Sequence, residues 1–178
     1  MKKKSSKNTS VTMSYILRHH PEEFNVEVIK KGAWAKTSQI LKALNITFEE
    51  LSDIVEKDKK NRYSFSKENT LIRANQGHSF DVDLELPPVE PPEYLYHGTV
   101  QESMHFIKDS GLKKMKRHAV HLSKDIDTAT NVASRRKSDN VLLKINSKQM
   151  QADGFLFYIS ENGVWLTENV PYKYIEIT

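Results

Sequence analysis

Arginines that stand beside apolar elements are the side chains of this sequence best suited to chemistry. Arg18 and His19 come at the end of a predicted first helix. Arg73 lies where a predicted strand gives way to the glycine turn of "IRANQGHS", and Arg135 and Arg136 end a later predicted helix. A guanidinium keeps its charge and donates two parallel hydrogen bonds to an oxyanion, so these residues suit phosphate. Cations near a helix C-terminus also favour the helix dipole, which gives each one a structural explanation too.

Histidines add a second group of candidates. The stretch "LYHGT", residues 95–99, ends a short apolar strand in an imidazole, a glycine and a hydroxyl. His121 and Ser123 in "AVHLS" share one face of a predicted strand, although a buried structural role for His121 also fits. His118 and His121 are three apart, which on a strand puts them on opposite faces, and the chain has no cysteine. We therefore expect no metal site.

The first helix that positions Arg18 follows from apolar spacing between Val11 and Leu17. It should stop at His20, because Pro21 disfavours helical geometry in the residue before it.

The rest of the N-terminal half predicts a strand, a glycine turn and two more helices. "VEVIKKGAWAKTSQILKAL" predicts the strand, the turn and a helix capped by Thr37 or Ser38. "TFEELSDIVEKD" predicts a helix that opens with a capping box of Thr47 and Glu50. "RYSFS" and "TLIRA" predict a β-hairpin, so residues 11–80 are typical of a winged-helix-like lobe.

Domain limits follow from the stretch "DVDLELPPVEPPE", residues 81–93, whose four prolines exclude a helix and favour an extended linker. We expect a basic tail over residues 1–10, an N-terminal lobe over 11–80 and a C-terminal lobe over 94–178. The C-terminal lobe alternates short apolar strands with helical stretches at 101–109 and 124–134 only, which predicts an α+β fold with a largely antiparallel sheet.

Composition narrows the class of protein. The 178 residues are 38% hydrophobic, with 27 Lys+Arg against 23 Asp+Glu, a net charge of +4 and a pI near 9.1, so an anionic partner such as RNA is compatible. We expect a cytoplasmic protein, because cysteine is absent and the start "MKKKSSKNTS" lacks the apolar segment of a secretory signal. We expect no membrane span, because no apolar run approaches the ~20 residues that one needs. We also expect a monomer.

Several stretches, taken in order, resemble one enzyme family, the RNA 2′-phosphotransferases of the KptA type. The resemblance runs from Thr12 to Ile175, and "RANQGHS" followed by "LYHGT" is its most specific part. The other stretches are "YILRHHPEEF", "GAW", "GLKKMKRHAVHLS", "ATNVASRRKSDNVLLKI", "GFLFYISENGVWLT" and "VPYKYI".

The resemblance implies an N-terminal winged-helix lobe that presents RNA and a C-terminal lobe of ADP-ribosyltransferase fold that binds NAD. It implies NAD-dependent removal of an internal RNA 2′-phosphate. A tRNA is one candidate substrate. A 2′-phospho-ADP-ribosylated RNA is the intermediate, and 2′-hydroxyl RNA, ADP-ribose 1″,2″-cyclic phosphate and nicotinamide are the products. NAD is consumed, and neither step needs a metal or a protein nucleophile.

The family's catalytic set of three arginines and one histidine falls on Arg18, His19, Arg73 and Arg135. The arginines would hold the phosphate, while His19 could move a proton near neutral pH. Arg136 is a rival for Arg135, because the "RRKSDN" loop lacks the glycine and proline usual in the family.

On the NAD side, the resemblance assigns His97, Gly98 and Thr99 to the first ADP-ribosyltransferase motif. It assigns His121 and Ser123 to the second.

The sequence departs from the family pattern at two positions, and it leaves two alternative functions open. Ala119 stands where the family often has a histidine or an aromatic residue, and Ala133 where it usually has a glycine. A transferase that ADP-ribosylates terminal phosphates of DNA or RNA would use the same pocket. A non-catalytic RNA-binding winged-helix protein would not require "LYHGT" or Arg135.

Overall fold

The computed structural model of the chain describes residues 6–135 and 138–178. The backbone forms two compact units. The N-terminal unit runs to Glu85 and takes in Lys116–His118, whereas the C-terminal unit comprises Leu86–Met115 and Ala119–Thr178.

The N-terminal unit combines three helices with one antiparallel sheet whose strand order is β1-β2-β4-β3. Its helices are α1 (Ser6–Arg18), α2 (Thr37–Leu44) and α3 (Phe48–Glu56), and its strands are β1 (Val28–Ile29), β2 (Trp34–Lys36), β3 (Tyr63–Phe65) and β4 (Leu71–Ala74). A short 3-10 helix, Glu22–Phe24, follows α1.

Helix α1 begins at Ser6, so residues 6–10 are helical although we expected them in the basic tail. Tertiary contacts explain the difference: Thr9 is buried, and the Tyr63 hydroxyl donates to the Ser10 carbonyl oxygen over 2.9 Å. The Tyr63 hydroxyl also pairs with the Ser14 hydroxyl. The helix ends at Arg18, two residues before the predicted end at His20, and Pro21 follows.

The two following helices begin differently from each other. The capping box of α3 is confirmed: the Thr47 hydroxyl accepts from Glu50 N and the Glu50 carboxylate accepts from Thr47 N. The predicted cap of α2 by Thr37 or Ser38 is wrong, since Lys36 occupies the N-cap position without a side-chain bond. The Thr37 hydroxyl instead donates to the Asn69 carbonyl oxygen over 2.8 Å.

The predicted hairpin of "RYSFS" and "TLIRA" is confirmed as β3 and β4, and β2 pairs with the other edge of β4. Ile72 and Ala74 of β4 are fully buried in the core of this unit, together with Met13, Ile16, Ile40 and Leu51. Arg73 alternates to the other face of β4, opposite Trp34 and Ser64.

The proline-rich segment 81–93 contains neither helix nor strand, apart from an isolated bridge between Lys31 and Asp83. Its first part binds the N-terminal unit, because the Asp83 carbonyl oxygen accepts from Gly32 N. Its later part binds the C-terminal unit, where Val89 N donates to the Phe157 carbonyl oxygen over 2.8 Å. The segment is therefore held by hydrogen bonds along its length.

The C-terminal unit carries short antiparallel sheets with strand orders β12-β8-β5, β7-β10-β9 and β11-β6. Its strands are β5 (Tyr94–Val100), β6 (Leu112–Lys113), β7 (Val120–Leu122), β8 (Asn140–Asn146), β9 (Tyr158–Ile159), β10 (Trp165–Thr167), β11 (Asn169–Val170) and β12 (Ile175–Ile177). Its helices are α4 (Met104–Ser110), α5 (Ile126–Ala133) and α6 (Ser147–Ala152), with 3-10 turns at Gln101–Ser103 and Tyr172–Tyr174. The mixture of helices and antiparallel sheets is an α+β fold, as expected.

The core of the C-terminal unit forms on the long pairing of β5 with β8, from Tyr94↔Asn146 to Val100↔Asn140. Leu95, Leu143 and Ile145 on these strands are completely buried. This pairing fixes the position of the "LYHGT" stretch.

Candidate active site

Arg18 is a partly buried cation at the last position of α1. Its Nε and Nη2 atoms are shielded from solvent and have no hydrogen-bond partner among the residues that the structure describes. Burial lowers the pKa of its guanidinium, and the positive charges of Arg62 and Arg117 act in the same direction. The side chain lies over the Tyr63 ring, with its Cζ atom 6.0 Å from the ring centroid. Arg18 therefore offers N–H donors that the described protein does not use.

The segment Gly77–Ser79 packs around Arg18. Ser79 N donates to the Arg18 carbonyl oxygen over 2.8 Å, and this bond attaches the segment to the C-terminal end of α1. A Cβ atom placed on Gly77 would lie 3.6 Å from both the Cδ and the Nη1 atoms of Arg18. Gly77 also has a φ of +92°, a conformation that side chains disfavour.

His19 follows Arg18 in a turn, and its Nδ1 atom lies 3.0 Å from the Ser79 hydroxyl. Partial burial lowers the pKa of its imidazole, and the positive charges of Arg18, His20 and Arg117 lower it further. His19 is therefore a neutral base near pH 7.

Arg73 projects from β4 on the face away from the core. Its Nη1 atom donates to the Gly32 carbonyl oxygen over 3.3 Å, and its Cζ atom lies 4.6 Å from the centroid of the Trp34 ring. Stacking on indole fixes the guanidinium plane while leaving its charge intact.

Arg135 lies in the C-terminal unit, exposed in the turn after α5. The predicted helix ends earlier than expected, at Ala133, with Ser134 as its C-cap, so Arg135 is not helical. Arg136, its rival, lies outside the described residues.

His97 is held on β5 by β7. Its Nδ1 atom lies 2.9 Å from the His121 carbonyl oxygen, which can only accept, so Nδ1 carries the proton. In the neutral ring Nε2 is then an acceptor, suited to a hydroxyl such as that of a ribose.

His121 and Ser123 alternate with buried Val120 and Leu122, so they share a face as predicted. The backbone of Ser123 exchanges two 2.8 Å hydrogen bonds with that of Tyr96. Thr99, two residues beyond His97, is buried.

Gly98 is required by the packing of α5. A Cβ atom at this position would lie 2.1 Å from the Ala129 carbonyl oxygen and 2.8 Å from the Ala133 Cβ atom. Gly98 therefore allows β5 and α5 to approach each other, which is a structural reason for this glycine that sequence analysis did not find.

Two other clusters of polar and charged side chains are paired within the fold. A groove of about 330 Å³ in the C-terminal unit contains Lys144 paired with Glu176 at 3.1 Å and Lys173 paired with Asp153 at 3.7 Å. In the N-terminal unit, His20 contacts the carboxylates of Glu22 and Glu23 at 3.3 and 3.4 Å. These three side chains have ligand atoms close enough for a metal ion, and the hydrogen bond between His20 and Glu22 also accounts for their arrangement.

Comparison with known proteins identifies the family. The family model described as RNA 2′-phosphotransferase, Tpt1/KptA family, matches residues 4–169. The chain belongs to this family.

Relatives described as "Probable RNA 2′-phosphotransferase" are similar to this chain over nearly its whole length. The protein of Fusobacterium nucleatum subsp. nucleatum is 47% identical over 169 residues, which cover 92% of this chain and 94% of the relative. That of Flavobacterium johnsoniae is 45% identical over 181 residues, covering 99% and 98%. That of Burkholderia pseudomallei is 46% identical over 169 residues, covering 92% and 91%.

The structure of this Tpt1/KptA family member adds His78 and Arg117 to the surroundings of Arg18. Neither residue was predicted from the sequence, although "GHS" lies in the motif that carries Arg73. Lys116–His118 joins the N-terminal unit, and His118 N donates to the His78 carbonyl oxygen over 3.3 Å. No local pattern predicts that contact.

Within the described part of the chain, no helix is long and apolar enough to cross a membrane.

Proposed function

We propose that this chain removes an internal 2′-phosphate from RNA and consumes NAD in doing so. In this proposal the N-terminal unit is a winged-helix-like lobe that binds RNA, and the C-terminal unit is an ADP-ribosyltransferase-like lobe that binds NAD. Membership of the Tpt1/KptA family supports the substrate and the reaction. Three helices with a hairpin-bearing sheet support the first assignment, and the short antiparallel sheets support the second.

The observation that carries the proposal is the Arg18 guanidinium, whose Nε and Nη2 atoms are buried. An unsatisfied buried donor costs about 1–3 kcal/mol, and more when it is charged. No carboxylate lies within salt-bridge distance of Arg18 in the described residues, and its Nε and Nη2 donors are unused there. A phosphate would supply both the negative charge and the acceptors.

The four proposed catalytic residues are Arg18, His19, Arg73 and Arg135. In the first step a 2′-phosphate oxygen bonds to the anomeric carbon of the ribose next to nicotinamide, and the carbon–nitrogen bond breaks to release neutral nicotinamide. The arginines position the phosphate and offset its charge, which is sufficient because nicotinamide leaves with the bonding electron pair.

In the second step the ribose 2″-hydroxyl bonds to phosphorus, and the bond from phosphorus to the RNA 2′-oxygen breaks. The hydroxyl loses a proton and the RNA oxygen gains one. His19 is the member of the set that can transfer it, since its pKa lies below the ordinary histidine value and the neutral ring accepts a proton.

The proposed NAD-binding residues are His97, Gly98, Thr99, His121 and Ser123. The fit is best at His97, whose Nε2 acceptor follows from the bond between Nδ1 and the His121 carbonyl oxygen. Gly98 fits a dinucleotide contact less well, because its missing side chain is explained by α5.

The test incubates the protein and NAD with an RNA that carries one internal 2′-phosphate, and it measures both nicotinamide and the RNA product. We expect nicotinamide release together with 2′-hydroxyl RNA, unaffected by EDTA. Matched RNAs with a 2′-hydroxyl or only a 5′-phosphate serve as controls. A stable ADP-ribosylated 5′-end would instead identify a terminal-phosphate transferase, and RNA binding without nicotinamide release would identify a non-catalytic RNA-binding protein. A tRNA fragment is the first substrate to try.

A further inference from the structure

His78 is a buried imidazole in the segment that packs around Arg18. Its side chain is completely buried. Its neighbour Gly77 contacts the Arg18 side chain, and its other neighbour, Ser79, hydrogen-bonds both the Arg18 carbonyl oxygen and the His19 ring. The backbone thus places His78 between two residues that contact the proposed catalytic pair.

Both ring nitrogens of His78 lack a hydrogen-bond partner among the described residues. Buried polar groups in folded proteins are nearly always hydrogen-bonded, so two unsatisfied nitrogens in one ring need an explanation. The same is true of the Nε and Nη2 atoms of Arg18. The unsatisfied polar atoms of these two residues therefore both lie in the N-terminal unit, near enough for the charge of Arg18 to lower the pKa of His78.

The charge around His78 indicates what could satisfy it. Burial lowers its pKa to about 3, and the positive charges of His118, Arg18, His19 and Arg73 act in the same direction. The ring is neutral near pH 7 and carries one N–H donor. A ligand that accepts hydrogen bonds and carries negative charge suits this environment, and a cation does not.

We propose that His78 donates a ring N–H hydrogen bond to the same phosphate oxyanion that Arg18 binds. This inference rests on the proposed function and extends it, because it adds a neutral donor to a site composed of arginines and His19. A neutral donor orients the phosphate without adding a further positive charge beside Arg18 and Arg73.

Packing alone does not account for the imidazole. His78 contacts Phe80 and His118 edge to face, with ring centroids 5.6 and 5.8 Å apart. A phenylalanine would make the same ring contacts and would leave no unsatisfied nitrogen in the core. The choice of histidine is explained if one nitrogen binds the ligand.

The first experiment uses the unaltered protein, labelled with ¹⁵N, and follows the His78 ring resonances by NMR during addition of RNA. With RNA carrying an internal 2′-phosphate, we expect a His78 N–H proton that shifts downfield and exchanges slowly with water. The same RNA with a 2′-hydroxyl should leave it unchanged. Identical His78 signals with both RNAs would overturn the proposal.

The second experiment compares affinities for the same two RNAs in His78→Phe, His78→Gln and Arg18→Gln. His105→Phe is the matched control, because His105 is exposed on α4 in the other unit. We expect His78→Phe to weaken binding of the phosphorylated RNA about 10- to 100-fold, the value of a hydrogen bond to a charged group. Binding of the 2′-hydroxyl RNA should not change. His78→Gln retains an N–H donor and should recover part of the loss.

The outcomes separate this inference from the proposed function. If Arg18→Gln loses the preference for phosphorylated RNA and His78→Phe keeps it, only the role of His78 is wrong. If the unaltered protein itself has no preference for the 2′-phosphate, the proposed function fails as well. Should His78→Phe not fold, the NMR result on the unaltered protein decides.

Discussion

Arg18 in the N-terminal unit and Lys144 in the C-terminal unit are both cations on tyrosine rings, and they are treated in opposite ways. Lys144 lies 3.9 Å from the centroid of Tyr94 and pairs with Glu176 at 3.1 Å, and that hydrogen bond raises its pKa. Arg18 lies over Tyr63 without a carboxylate at salt-bridge distance in the described residues, and burial lowers its pKa. The charge of Lys144 takes part in an ion pair within the fold, whereas Arg18 has no such ion pair among the described residues.

The same contrast extends to the other candidate residues. In the N-terminal unit, Arg18 and His78 keep unused hydrogen-bonding atoms. In the C-terminal unit, His97 is hydrogen-bonded to the His121 carbonyl oxygen, and α5 fills the space that a side chain at Gly98 would need. Substitutions in the first group should therefore reduce function more than stability, and substitutions in the second should reduce stability as well.

The largest effect should follow from Arg18→Gln. Loss of one charged donor to a developing oxyanion costs about 10²- to 10³-fold in turnover, by analogy with an oxyanion hole. The melting temperature should stay the same or rise, because a partly buried cation without a counter-ion is removed. Steady-state nicotinamide release and thermal unfolding measure the two quantities. The comparison fails if Arg18→Gln unfolds at a clearly lower temperature and retains its turnover.

His19→Ala should change the product rather than only the rate. The first step needs no general acid, so the branched 2′-phospho-ADP-ribosylated RNA should accumulate, as seen in a gel or mass assay over time. In the unaltered protein, protonation of His19 should slow the second step only below pH 6.5, since its pKa is lowered. If only unreacted RNA or only 2′-hydroxyl RNA is found, His19 positions the substrate instead.

Gly98→Ala tests the C-terminal side of the comparison. The new Cβ atom would overlap the Ala129 carbonyl oxygen, so overpacking should destabilise the protein by about 1–3 kcal/mol. Adding Ala133→Gly should not restore stability, because the closer clash is with backbone. Urea unfolding of the single and double variants measures this. Unchanged stability together with lost NAD turnover would assign Gly98 to dinucleotide binding.

Local sequence patterns predicted those parts of the fold that local interactions determine. The Thr47–Glu50 capping box and the β3–β4 hairpin lie within short stretches, and alternation on β7 placed His121 with Ser123. The predicted start of α1 was wrong, because the first turns of this helix depend on a contact with Tyr63, far along the chain.

The same limit applies to the candidate site. Arg18 and Arg73 were predicted by residue type and by resemblance, but the buried Nε and Nη2 atoms of Arg18 were not. It missed His78, whose contact with His118 joins two segments distant in sequence. It gave Gly98 a ligand-contact role alone, because its fit against α5 follows only from the packed structure.

The smallest effect should come from Lys144→Gln, the counterpart of Arg18→Gln. Lys144 and Glu176 are on neighbouring strands, Lys144 partly and Glu176 largely exposed, so their attraction is screened by salt. We expect turnover within about twofold of the unaltered protein, since such a pair contributes little. Any loss of stability should match that of Glu176→Gln and disappear in 1 M salt. A loss of turnover as large as that of Arg18→Gln, with stability intact, would show that the charge of Lys144 also serves a ligand.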